Sequence, residues 1–151
     1  RQHDKISEVV YLAAMVLQKG QRGIDLIPAD RRQGYFTAAN ATPGNTISVT
    51  FETACARFFN DLPVAEAKQY FDKLTPQPFA PYLQAVTTDF SEIDVPRRYI
   101  YCLQDKTFTP VHALEFAATL GVEAEPIDAA HDVMLSQPRK LAALLSLNQP
   151  G

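Results

Sequence analysis

The chain has 151 residues, 46% of them apolar, with a net charge of −3 and an isoelectric point near 5.6. That is one domain's worth of chain with enough apolar material for an ordinary core, which excludes a disordered or fibrous protein. Pairs of basic residues such as Arg31-Arg32 and Arg97-Arg98 make no nucleic-acid footprint, and no apolar run nears the roughly 20 residues that cross a bilayer.

Neither nucleic acid nor membrane is expected as a partner, and the chain reads as soluble and cytoplasmic. Residues 1–45 open with a polar stretch, Arg1 to Lys5, and then a buried strand over Ile6 to Ala14, apolar on both faces in its second half. A core strand preceded by a few polar residues, with no methionine at position 1, is expected to belong to something larger, since a central parallel strand has neighbours on both sides. From Met15 to Asn45 the glycines at 20, 23, 34 and 44 with Pro28 and Pro43 interrupt any period, so this stretch is expected to be loop.

Residues 46–82 form the second segment. Ile47 to Phe51 alternates apolar and polar residues, as a short exposed strand does; Glu52 to Asn60 and Val64 to Leu74 read as two helices split by Asp61-Leu62-Pro63. Three prolines between Thr75 and Pro81 impose an extended connector. The aromatic residues Phe51, Phe58, Phe59, Tyr70 and Phe71 either face an apolar ligand pocket or bury this segment on the rest of the domain; for any single ring the second reading leads.

Residues 83–151 hold the chemistry. Arg97 to Leu103 is a strand rich in aromatic and β-branched residues that ends at Gln104-Asp105. Thr109 caps a helix whose first residue is Pro110, and Gly121 supplies its left-handed stop. Val111, Leu114 and Ala118 are expected to be the face of that helix that covers the sheet. A strand near Val122 to Ile127 follows, then a turn carrying His131. A last helix, Arg139 to Leu147, begins after Ser136 and Pro138, with Leu141, Leu144 and Leu145 on its packing face, and Asn148 to Gly151 is a frayed end.

Strand, helix, strand in this order makes the two strands parallel, so the turns holding Asp105 and His131 open at one carboxyl edge, where open α/β sheets place their ligands. An imidazole titrates near neutral pH and passes protons, while a carboxylate fixes its tautomer. Taken singly, an aspartate after a strand is most often a turn residue and a histidine most often structural. His3 and His112 lack such a setting and are expected at the surface. Cys55 and Cys102 lie in no C-x-x-C pair and read as free, buried thiols.

The wording around these residues resembles a family. CLQDKTFTP followed by DAAHDVMLSQP is similar to the acid and histidine motifs of α/β-hydrolases, in the branch of small esterases that includes methylesterases and hydroxynitrile lyases. FFNDLPVAEAKQYFDKLTPQPFAPY resembles the lid of the same branch. The resemblance runs from about Ile6 to Leu145. It implies an α/β fold, the carboxyl-terminal part of an α/β-hydrolase: about three parallel strands, flanking helices and a helical lid over residues 46–82.

The resemblance also implies a Ser-His-Asp triad acting on carboxylic esters, with Asp105 and His131 as acid and histidine. Phe58, Phe59, Phe71 and Phe108 are then the candidates to line an apolar pocket for a small ester. The family's nucleophile is a serine on a G-x-S-x-G elbow that precedes the acid and the histidine. None of Ser7, Ser48, Ser91, Ser136 and Ser146 has glycines two positions either side, so the serine is expected outside this sequence, on an amino-terminal part of the same fold or on a companion chain. The lyases of the branch carry a lysine after the histidine; Asp132 stands there, which disfavours cyanide chemistry. No cofactor is expected, and no metal, because the three histidines share no ligand spacing. The alternatives are a non-catalytic small-molecule-binding or interaction module, and a fragment whose open sheet associates with a second copy, as a homo-oligomer, or with another polypeptide.

Overall fold

Side chains alternate across a strand, and the run Tyr99-Ile100-Tyr101-Cys102 uses both sides. It belongs to a strand, Arg97–Cys102, at the centre of a three-stranded parallel sheet in the computed structural model, which describes residues 5–146. His3, Leu147 and the tail expected to fray lie outside those residues. In chain order the elements are β1 (Val9–Leu12), α1 (Ala29–Asn40), β2 (Thr46–Ile47), α2 (Phe51–Arg57), α3 (Val64–Phe71), β3 (Gln77–Pro78), α4 (Ala80–Leu83), β4 (Arg97–Cys102), α5 (Pro110–Leu120), β5 (Ala124–Ile127), α6 (Val133–Ser136) and α7 (Pro138–Ser146). The sheet order is β1-β4-β5, with Ile100 opposite Leu12 on one side and Glu125 on the other.

One face of β4 carries Ile100 and Cys102, packed with Ala13, Ile127, Ala129, Val133 and Leu141 beneath α6 and α7. The other carries Tyr99, packed with Val16, Ala113, Ala117 and Leu120 beneath α5. The result is three layers, helix on sheet on helix. Burying a side chain such as Ile100 contributes about 2 kcal/mol, whereas an exposed pair such as Lys19–Glu92 contributes under about 1 kcal/mol. The apolar faces hold the layers together. Tyr99 adds a tie, its hydroxyl donating to the Ala14 carbonyl at 2.7 Å, just past the end of β1.

At the opposite end of β4 from Asp105, buried Arg98 donates to both carboxylate oxygens of Glu125, at 2.7 and 2.6 Å, and to the Leu144 carbonyl at 3.0 Å. Glu8 lies 3.5 Å away. The fork of hydrogen bonds from Arg98 holds the Glu125 carboxyl below the usual range. This cluster ties β4, β5 and α7 where the sheet is farthest from the candidate site.

Several expectations are corrected. Residues 15–45 contain a 12-residue helix, α1, in place of a loop. Pro28 stands at its amino cap, Pro43 lies beyond its end, and a Cβ at Gly34 would meet nothing within 4 Å. The breakers therefore sit where they break nothing. On α5 the buried positions are Ala113, Ala117 and Leu120, with Phe116 beside them. Val111 and Leu114, expected to cover the sheet, are 66% and 52% exposed, and Ala118 is exposed as well. Alanine lets the helix backbone approach the sheet closely, which two larger side chains would prevent. Thr109 is the amino cap of α5 by backbone conformation, but its hydroxyl meets His112 Nδ1 at 3.1 Å and makes no capping bond. Gly121 ends α5 at φ 72°, as expected of a left-handed stop.

Strand β1 is half-buried rather than buried, and it pairs on one side alone among the described residues. Ser136 belongs to α6 and does not cap α7, and Leu145 is exposed while Leu141 is buried. The 46–82 segment keeps its expected helices, which end earlier, at Arg57 and Phe71, while the strand expected over Ile47 to Phe51 is only Thr46–Ile47 and Phe51 begins α2. Its connector pairs Gln77–Pro78 antiparallel with Thr46–Ile47, a two-residue ladder that a proline at a sheet edge permits. Cys102 is buried and Cys55 only half-buried, both free thiols.

Candidate functional site

The carboxyl ends of β4 and β5 stay zipped past the strands themselves. Leu103 donates its amide to the Ile127 carbonyl at 2.9 Å and Gln104 to that of Ala129 at 3.0 Å, while the Gln104 side chain reaches Asp128 at 2.7 Å. The two turns are held as a pair. Asp105 emerges from the first with 2% of its surface exposed. One of its oxygens, Oδ1, accepts the amides of Thr107 at 2.6 Å and Phe108 at 3.0 Å.

The other oxygen, Oδ2, lies 2.8 Å from Nδ1 of His131. A carboxylate only accepts, so Nδ1 carries the hydrogen, and in the neutral imidazole Nε2 then keeps its lone pair. The bonds to Oδ1 orient the carboxylate, and the carboxylate orients the ring. His131 follows two buried alanines, Ala129 and Ala130, whose small side chains let the turn pack against the sheet end. Its ring stands between Phe58, 5.6 Å away at 34°, and Phe108, 5.8 Å away at 62°. One ring comes from the end of α2, the other from the acid turn. The dyad is thus dry on two flanks, and the imidazole remains partly accessible.

Segment 57–61, between α2 and α3, is bonded to both turns. Thr107 donates its hydroxyl to the Arg57 carbonyl at 3.2 Å, and the Asn60 side-chain amide donates to the Gln104 carbonyl at 3.0 Å. Asp132 donates its amide to the Phe58 carbonyl at 3.3 Å, and Ala130 donates its amide to Asp61 Oδ2 at 2.8 Å. Sequence reading missed all of these partners. In the sequence Asp61 looks like part of the break between two helices, and its partner lies 69 residues further on.

Of the four phenylalanines singled out from the sequence, the structure brings Phe58 and Phe108 to the histidine. Phe59 is buried in the packing between α2 and α3, with Ala54 and Ala67, and has no surface left to offer a ligand. Phe71 packs edge-on against Phe51 at 5.3 Å. Two apolar grooves lie elsewhere: one of about 170 Å³ lined by Tyr11, Val16, Val86 and Phe90, another of about 260 Å³ lined by Gly23, Gln77, Pro81 and Tyr82, with Met15 and Leu17 shared. Neither is lined by the four phenylalanines or by His131.

Burial raises the Asp132 carboxyl above its usual range, with Asp105 and Asp61 adding to the rise and an imidazolium at His131 opposing it. The thiol of Cys102 is pushed up to about 12 by burial, so it is core material beside the acid turn and not a nucleophile. Among the described residues no group of three or more histidine, cysteine, aspartate or glutamate side chains is arranged to hold a metal ion. Among the same residues no helix is long and apolar enough to cross a membrane.

No protein-family profile matches the chain, and no curated protein does either. Solved structures do. An extracellular α/β-hydrolase from a Paenibacillus species, described as sharing structural and functional homology with tobacco salicylic acid binding protein 2, matches at TM-score 0.85 and 21% identity, over 95% of this chain and 62% of that one. A methylesterase from Arabidopsis matches at 0.70 and 21%, over 94% of this chain and 58% of that one. A pyrethroid hydrolase from Sphingobium faniae matches at 0.67 and 16%, over 96% and 61%. Identities this low speak to fold: the chain has a partial α/β-hydrolase fold, spanning 58–62% of the length of these esterases and hydrolases.

Proposed function

We propose that this chain supplies the acid and the histidine of a Ser-His-Asp triad in a carboxylic ester hydrolase, with the serine on an amino-terminal part of the fold or on a companion chain. The observation that carries the reading is the 2.8 Å contact between His131 Nδ1 and Asp105 Oδ2, made by a buried carboxylate whose other oxygen is occupied by two amides. The 46–82 segment is the lid in this reading. Phe58 and Phe108 flank the reacting groups of a small apolar ester, while Phe59 and Phe71 support the segment from within. Two free cysteines favour a reducing compartment, and the cytoplasm is the location that goes with it.

Nε2 of His131 would take the proton of the serine hydroxyl as the serine oxygen bonds to the ester carbonyl carbon. The tetrahedral intermediate then expels the alcohol, which leaves with that proton. Water attacks the acyl-serine in the same way, Nε2 taking its proton and returning it to the serine as the acid departs. Asp105 holds the tautomer and stabilises the imidazolium of both steps. The chain by itself has no triad turnover.

An intact-mass spectrum of the purified material comes first, read against the calculated 16.8 kDa. Protein that includes a G-x-S-x-G segment is then assayed with p-nitrophenyl butyrate. Asp105→Asn is expected to lower kcat by about 10⁴-fold, the size of loss seen when a triad aspartate becomes asparagine, and His131→Ala by about 10⁶-fold. Unchanged rates in both variants would remove the triad assignment.

A further inference from the structure

Among the described residues, Asp61 is the one carboxylate that reaches the histidine turn from outside the strand-helix-strand unit. Its Oδ2 accepts the amide of Ala130 at 2.8 Å, and Ala130, fully buried, is the residue before His131. A buried amide has no water to turn to if that acceptor is lost. Around it, Asp132 and Phe58, Asn60 and Gln104, and Thr107 and Arg57 join the same segment to both turns.

We propose that Asp61 is a positioning residue: by fixing the Ala130 amide it sets the backbone that presents His131, and so keeps Nδ1 on Asp105. The segment between α2 and α3 is then part of the frame of the dyad and not a flap free to leave it. The inference rests on the triad reading for its catalytic meaning, but its geometry is tested without catalysis.

The test is nitrogen NMR of histidine-labelled protein, with His131 assigned by His131→Gln, comparing the parent with Asp61→Ala, Asp61→Asn and Asn60→Ala. Protection of the His131 Nδ1 proton against exchange is expected to fall about tenfold in Asp61→Ala, the equilibrium factor of one ordinary hydrogen bond. Asp61→Asn keeps an oxygen that accepts from Ala130 and is expected to stay near the parent. Asn60→Ala removes a different bond of the same segment and should leave the Nδ1 signal in place.

Parent-like protection in Asp61→Ala would overturn the proposal. So would an equal loss in Asn60→Ala, which would make the effect one of general docking, or a failure of Asp61→Asn to rescue. Should Asp61→Ala not fold, the contrast between Asp61→Asn and Asn60→Ala still decides: a loss in Asp61→Asn, or one in Asn60→Ala, rejects the assignment. Where the serine-bearing part is present, Asp61→Ala should lower kcat with little change in KM. Full turnover in both Asp105→Asn and His131→Ala would strike the triad reading instead, and leave the NMR result standing.

Discussion

Asp132 shows how a single residue sets conditions on the site. Its carboxyl is half-buried beside two other carboxylates, and burial raises its pKa in the folded protein. The folded state therefore holds this proton more tightly than the unfolded chain, in which the group titrates near the ordinary 3.8. The stability this contributes is present below that value and is lost as pH rises through the folded pKa. Asp132→Asn carries no such loss. Its melting temperature is expected to exceed the parent's by a margin that widens as the pH of the measurement is raised from about 4 to about 7. A parent that is the more stable protein across that range in calorimetry would contradict the account.

At the same scale, Asp105 and His131 were legible because each sits one turn past a strand of the same strand-helix-strand unit. Local signals place both at one edge. Asp61 was not legible, since a carboxylate before Leu62-Pro63 looks like any helix break and its partner is 69 residues away.

Among the elements, α5 separates what periodicity tells from what it omits. Its span, Pro110–Leu120, is readable from a proline at the start and a glycine at the stop. Its buried face is not, because two apolar stripes compete and the one with smaller side chains wins by letting helix and sheet approach. Val111→Lys is therefore expected to lie within about 0.5 kcal/mol of the parent in urea unfolding. Ala117→Leu, overfilling a buried contact, should cost about 1–3 kcal/mol. The reverse order would return the sheet-facing role to Val111. Helix α1 escaped for a related reason: its glycine and prolines are breakers by type, yet they fall at an exposed site or outside the helix, where they cost little.

For the whole molecule, the sheet pairs β1 on one side alone among the described residues, and Ile6, Leu103, Val111, Leu114 and Met134 are exposed apolar side chains. An uncovered parallel sheet edge with apolar neighbours associates with what will pair with it. Light scattering on the isolated chain is expected to give a mass above 16.8 kDa, and addition of a polypeptide bearing the first strands of an α/β-hydrolase should replace that self-association with a mixed complex. A stable monomer at the calculated mass would show that the edge is closed by the chain itself.

The sequence by itself determined the alternation of strand and helix after Val95, the parallel sheet that follows from it, and the edge at which an aspartate and a histidine meet. Those rest on local chemistry: β-branched and aromatic runs, a proline and a glycine at helix ends, and short connections that leave few topologies. Only the tertiary structure decided which face of α5 is buried, that residues 29–40 are helical, which aromatic rings stand beside His131, and that Asp61 holds the turn before it. Each of these depends on contacts between segments far apart in the chain, where packing and hydrogen-bond satisfaction outweigh local preference.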